Sequence, residues 1–182
     1  MTGGPGRLLI VTGPPGAGKS TVARLLADRY DPSVLIEGDA FFQFLERGAI
    51  EPWRPESNAQ NEVVTRAAAA AAGTYARGGY TTLYDGIIGP WFLPTFATGT
   101  GLDCLDYVVL MPSLERCLHG VLTRADHGFR DEPATRKMHA EFAKADVDAR
   151  HVLDPPDDPA VVADVIAAAF AAGAYTYQVA RR

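Results

Sequence analysis

The chain is poor in the features that would take it out of an aqueous, reducing compartment. Only two of its 182 residues are cysteine. Cys104 and Cys117 form no paired metal or redox motif, so a cytoplasmic protein with reduced thiols is expected. No uninterrupted apolar run approaches the roughly 18 residues that would span a bilayer. The apolar run Leu8–Thr12 is too short for a signal-peptide core and carries no cleavage pattern. The four histidines, His119, His127, His139 and His151, are too widely spaced for a helical metal pair. Positive charge is also in deficit: 17 Lys and Arg against 22 Asp and Glu leave a net charge of −5. Such a chain has no global attraction to nucleic acid or to a membrane surface. A small molecule is the expected partner, and monomer and homodimer stay open.

What the sequence does have is a globular composition, 47% hydrophobic and 21% charged, over a length that suits one domain spanning 1–182. Short apolar runs alternate with helical patterns. Leu8–Thr12, Val34–Glu37, Thr81–Asp85, Asp106–Leu110 and His151–Leu153 read as five buried strands. Lys19–Tyr30, Asn58–Arg77, Ser113–Arg124, Pro133–Ala145 and Pro159–Ala172 read as helices, the second stopped by Gly78-Gly79 and the last opened by proline. The alternation predicts an α/β protein, a parallel sheet covered by helices on both faces. Two stretches leave that rhythm: 38–57, expected as an irregular excursion, and 124–133, a charged one. Ligands of such sheets sit at the carboxyl ends of the strands, so both are candidate covering elements.

The strongest motif is Gly13-Pro14-Pro15-Gly16-Ala17-Gly18-Lys19-Ser20, followed by Thr21. It fits G-x-x-x-x-G-K-[ST] and lies between an apolar strand and an amphipathic helix, the context the motif requires. Glycines let the backbone curl with N–H groups inward around phosphate oxygens, and the helix start adds a favourable dipole. Lys19 supplies a point charge to the β- and γ-phosphates, and Ser20 a hydroxyl for Mg²⁺. A guanine-reading Asn-Lys-x-Asp is absent, as is a transporter-type Ser-Gly-Gly-Gln. Asp85 is followed by Gly86, without the Glu that polarises water in mechanical ATPases. Transfer to an organic acceptor is the reading that is left.

With these residues the sequence resembles the small P-loop kinases, the adenylate, shikimate and gluconate kinase group, and most of all its chloramphenicol phosphotransferase-like and tunicamycin-resistance-like branch. The resemblance implies a three-layer α/β/α fold with strand order 2-3-1-4-5, ATP and Mg²⁺ as cofactors, and a small lid at 124–133. It implies an acid after the second strand as base or magnesium partner, here in Glu37-Gly38-Asp39. It implies a functional Asp closing the third strand, here Asp85, and lid arginines, here Arg124 and Arg130. It also places 151–160 beside adenine. Nucleoside monophosphate kinases carry Asp-Gly-Phe-Pro-Arg where this chain has Asp85-Gly86-Ile87-Ile88-Gly89, then Pro90-Trp91-Phe92. A phosphate-gripping arginine is replaced by an apolar wall, which favours a hydroxyl on an uncharged or partly apolar acceptor.

The expected roles follow. Asp39 is the general base, with a helix N-cap for Phe41–Arg47 as the alternative. Asp85 holds Mg²⁺ or an acceptor hydroxyl, with a turn-forming Asp-Gly pair as the alternative. Glu37 is a lesser candidate that would otherwise end a strand in a salt bridge. Arg124 and Arg130 neutralise the transferring group, unless they form surface ion pairs. Gly13, Pro15, Gly16, Ala17, Gly18, Lys19, Ser20 and Thr21 bind nucleotide. Phe42, Trp53, Arg54, Asn61 and Trp91 are assigned to the acceptor, with core packing as the alternative for Phe41, Phe42 and Phe44, and helix capping or solvation for Asn58, Gln60 and Asn61. The expected activity is an ATP:alcohol phosphotransferase acting on an antibiotic or a nucleoside- or sugar-like natural product. The competing readings are a nucleotide-dependent switch and a toxin-like sugar-nucleotide kinase.

Overall fold

The computed structural model describes residues 6–123 and 130–180. Strand β1 (Leu8–Thr12), buried at every position, forms the centre of the sheet. It is followed by α1 (Lys19–Ala27), β2 (Ser33–Glu37), α2 (Gly38–Gln43), α3 (Asn58–Arg77), β3 (Thr81–Asp85), α4 (Leu93–Thr100) and β4 (Cys104–Leu110). Then come α5 (Leu114–Thr123), α6 (Glu132–Lys144), β5 (Val152–Leu153), α7 (Pro159–Ala171) and β6 (Thr176–Gln178). Five strands run parallel in the order β2-β3-β1-β4-β5, the expected order.

Alternation along each strand divides the core in two. Leu9, Val11, Leu83, Val108 and Leu110 pack with Val22 and Leu26 of α1, Cys117 of α5, and Ile166 and Phe170 of α7. Leu8, Ile10, Tyr84, Tyr107 and Val109 face the other way, onto α3, Phe96 of α4 and Phe142 of α6. The alanines Ala68, Ala69, Ala72 and Ala76 are wholly buried, so α3 lies close to its neighbours. These three layers are the architecture the strand–helix alternation predicts.

Three elements depart from expectation. A sixth strand, β6, pairs antiparallel with the first half of β4, Cys104↔Gln178 to Asp106↔Thr176. It occupies the lower part of the same edge that β5 uses at Val109 and Leu110, which is why β5 is only two residues long and His151 falls in a 3₁₀ turn. Helix α4 was not anticipated, because Leu93–Thr100 carries Pro and Gly and no charged residue. Helix α2 starts directly at the end of β2, inside the stretch expected to be irregular. No helix among the described residues is long and apolar enough to cross a membrane.

Candidate active site

The turn between β1 and α1 closes on itself. Ala17 N–H donates to Pro14 O at 3.3 Å, and Lys19 Nζ donates to the same carbonyl at 2.9 Å. The buried lysine is thereby folded back across the loop. Helix α1 is capped by Gly18, which offers no side chain, and has no acid in its first turn. A helix start without a side-chain cap or an acid suits a phosphate chain. Ser20 is half-buried and Thr21 exposed there.

Helix α5 sits directly on this loop. Gly16 has φ 78°, and a Cβ there would run into the Cys117 carbonyl. A Cβ on Gly120 would come within 2.6 Å of Gly16 O. Cys117 itself is buried, and burial pushes its thiol up to about 11 against the pull of Lys19 and Arg116, so it is a neutral packing group. A cavity of about 530 Å³ opens beside the loop, bounded by Gly16, Thr21, Pro112, Arg116, Pro155 and Pro156 among others. Arg116 fastens its far wall: it donates to Pro155 O at 2.5 Å and Pro156 O at 3.1 Å, and pairs with Asp157 at 3.1 Å. Pro155, Pro156 and Asp157 belong to the segment that the resemblance places beside adenine. Arg116 was missed; its one sequence signal was a basic residue in the first turn of a helix.

At the carboxyl edge of the sheet, Val11, Asp85 and Glu37 stand side by side across β1, β3 and β2. Asp85 is buried, with 8% exposure. Register puts it on the face shared by Val11 and Leu83, the face covered by α1 and the phosphate loop. Glu37 is exposed and pairs with Arg24 of α1 at 3.0 Å, which is the salt-bridged strand end weighed for it. Asp39 is exposed in the first turn of α2. It is not the N-cap: that position is Glu37, without a side-chain cap bond, because β2 passes into the helix with no connecting loop. Tyr84, on the opposite face of β3, feels both carboxylates. Burial raises its hydroxyl pKa, and Asp39 and Asp85 raise it further.

The acceptor-side residues are only partly brought together. Phe41 packs on the core and edge-on to Phe44, which is 72% exposed; Phe42 is half-buried. Trp53 is half-buried, and its carbonyl accepts from Lys137 of α6 at 3.4 Å. Arg54 pairs with Glu51 at 2.8 Å and Arg66 with Glu62 at 2.6 Å, both on the surface. Asn61 fastens the loop: its Nδ2 donates to Pro52 O at 2.7 Å and Ser57 Oγ at 2.9 Å, and Gln60 grips both backbone atoms of Ile50. Neither capping nor solvation describes those two side chains. The Asn61 Oδ1 is buried without a hydrogen-bond partner among the described residues. Arg130 is exposed, and Arg124 lies outside the described residues.

Residues 12–98 match the model of a family described as an AAA domain. No curated protein matches the chain in sequence. Among solved structures the chain is similar to a sugar kinase from Janibacter sp. HTCC2649, with TM-score 0.70, 19% identity and coverage of 90% of this chain and 94% of that one. It is similar to the APS kinase of Mycobacterium tuberculosis in complex with AMPPNP and APS, with TM-score 0.71, 17% identity and 93% and 99% coverage. It is also similar to the Deinococcus radiodurans tunicamycin resistance protein, with TM-score 0.66, 19% identity and 91% and 95% coverage. The chain has the fold of these small kinases, with a phosphate-loop motif at 13–20.

Proposed function

We propose that the chain transfers the γ-phosphate of ATP to a hydroxyl of a small organic molecule. The observation that carries this reading is the juxtaposition at one sheet edge of an uncapped phosphate loop and two carboxylates, Asp85 and Asp39. The loop residues Gly13, Pro15, Gly16, Ala17, Gly18, Lys19, Ser20 and Thr21 bind the phosphates, with Lys19 as point charge. Ser20 and Asp85 are the residues that would hold Mg²⁺, which when bound neutralises charge on the β- and γ-oxygens.

Asp39 takes the proton of the acceptor hydroxyl as its oxygen bonds to phosphorus and the bond to the β-phosphate oxygen breaks. Its exposure leaves it accessible to an incoming acceptor. Arg130, with Arg124, offers guanidinium groups to the equatorial oxygens, where charge spreads in the transition state. In this reading the lid is 124–133, of which 124–129 lie outside the described residues and Glu132 opens α6, and 38–57 is the acceptor-side wall. Phe42 and Trp53 give that wall an apolar character, and Asn61 of α3 staples it from outside; Trp91 turns its open face to a different hollow. Arg54, engaged by Glu51, is its exposed rim. The tunicamycin resistance protein among the structural neighbours supports an antibiotic-like acceptor.

Incubating the protein with metabolite extracts, Mg²⁺ and γ-labelled ATP, followed by mass spectrometry, tests the reading. One or more products heavier by a phosphoryl group are expected. Nucleotide turnover without any phosphorylated product would replace it with a nucleotide-dependent switch.

A further inference from the structure

A second hollow, of about 570 Å³, lies away from the phosphate loop, between the loop that follows β3 and the end of α6. Pro90, Trp91, Glu141, Lys144, Ala145 and Asp146 line it. Trp91 is 46% exposed, an unusual amount for an indole in a protein of this size. The ring is nevertheless held. It folds back over Gly89, where a Cβ would collide with the six-membered part of the indole. It also packs at 5.3 Å, tilted, against Phe142, a buried side chain of α6. An aromatic surface fixed on two sides and open towards a hollow costs a ligand little ordering.

Charge selects the kind of ligand. Glu141 and Asp146 bring two carboxylates to the hollow and Lys144 one ammonium. Lys137 reaches Glu141 only at 3.9 Å in an exposed i,i+4 pair, which a ligand displaces easily. An anion entering here would meet two like charges, whereas a cation would meet those carboxylates and the negative face of the indole. We propose that this hollow binds an organic ammonium group carried on an apolar frame. The site stands on the hollow itself and holds whether or not the chain transfers phosphate.

Three probes that share one ring test it: benzyltrimethylammonium, benzyl alcohol and benzoate. Trp53→Phe leaves Trp91 as the single tryptophan, because the chain has two. The cation is expected to quench Trp91 emission saturably, with affinity about tenfold or more above the neutral and anionic probes. Glu141→Gln combined with Asp146→Asn weakens that binding, and Lys144→Ala tightens it. All three side chains are exposed, so these variants keep the fold, which circular dichroism checks. Should Trp53→Phe fail to fold, the titration is read from the Trp91 indole N–H resonance of the unsubstituted chain, assigned with Trp91→Phe. Equal binding of the three probes, preference for benzoate, no saturable change, or weaker binding by Lys144→Ala overturns the proposal. Calorimetry with Mg²⁺ and AMPPNP keeps the two readings apart: a chain that binds the cation but no nucleotide retains this site and loses the kinase reading.

Discussion

Thr12 and Ile88 exchange hydrogen bonds in both directions. The Thr12 Oγ1 accepts from Ile88 N–H at 2.9 Å and donates to Ile88 O at 3.3 Å, and Tyr107 Oη donates to the same carbonyl at 2.9 Å. Thr12 is the last residue of β1 and leads into the phosphate loop, while Ile88 belongs to the turn that follows Asp85. The two halves of the candidate site are therefore pinned to each other in the buried core. Thr12→Val keeps the shape and orphans the Ile88 N–H, so it should cost about 1–3 kcal/mol of stability, against a much smaller loss for Thr12→Ser. Urea unfolding measures the difference. Adding Tyr107→Phe strips the Ile88 carbonyl as well, so the double variant should lose more than the sum of the two.

The contact between α5 and the phosphate loop should make Gly120 a control point for nucleotide binding. A methyl group at Gly120 meets Gly16 O, a backbone atom that cannot rotate away. Gly120→Ala should push the loop out of shape and lower affinity for Mg²⁺ and AMPPNP by about tenfold or more, equivalent to ~1.4 kcal/mol. Isothermal titration calorimetry reads this directly, and an unchanged affinity would show that α5 yields instead.

Lys19 and Asp39 should separate binding from chemistry. Lys19→Ala removes the charge folded across the loop and should abolish both nucleotide affinity and product formation. Asp39→Asn removes only a proton acceptor at the surface. Product formation should fall by about 10²–10⁴-fold while AMPPNP binding stays near normal. Full activity in Asp39→Asn would transfer the role of base to Asp85.

His151 should make the fold sensitive to mild acid. Its Nδ1 lies 2.8 Å from Tyr107 O, and burial holds its pKa below the usual 6.5. The unfolded chain thus takes up the proton more readily than the folded one. The stability His151 contributes is complete above pH 6.5 and is lost as the pH falls from 6.5 through its lowered folded value. Asp106 acts in the opposite sense, because burial raises its pKa above 3.8 and its ionisation on rising pH costs stability. Melting temperatures from pH 7.5 to 5 should fall more for the wild type than for His151→Asn.

Much of the fold was legible because it is written locally. The strand Thr81–Asp85 and the helix Asn58–Arg77 have the predicted boundaries, since their alternation and their stop signals lie in adjacent residues. The turn between β1 and α1 was legible for the same reason: its motif and its flanking strand and helix are contiguous. Helix α4 was hidden by its composition, and β6 by having only three residues, whose pairing is decided by the free edge of β4.

The site residues divide in the same way. The position of Asp85 at the carboxyl end of β3 was legible because the strand itself is readable. Arg116, which fastens Pro155 and Pro156, depends on partners far along the chain, and so does the packing of Trp91, which the sequence assigns to the acceptor, against Phe142. The roles of Asn61 and Glu37 were likewise ambiguous in one dimension, and a loop to staple and Arg24 to pair with gave each an occupation.

By itself the sequence determined the shape of one glycine-rich turn and the rhythm of strands and helices, because both arise from neighbouring residues obeying steric and hydrogen-bonding rules. Tertiary structure alone decided which carboxylates stand near the phosphate loop, which cations are already engaged, and which aromatic ring remains open. Those outcomes depend on the packing of elements remote in the chain, where burial and competing partners, and not residue type, set what a side chain is free to do.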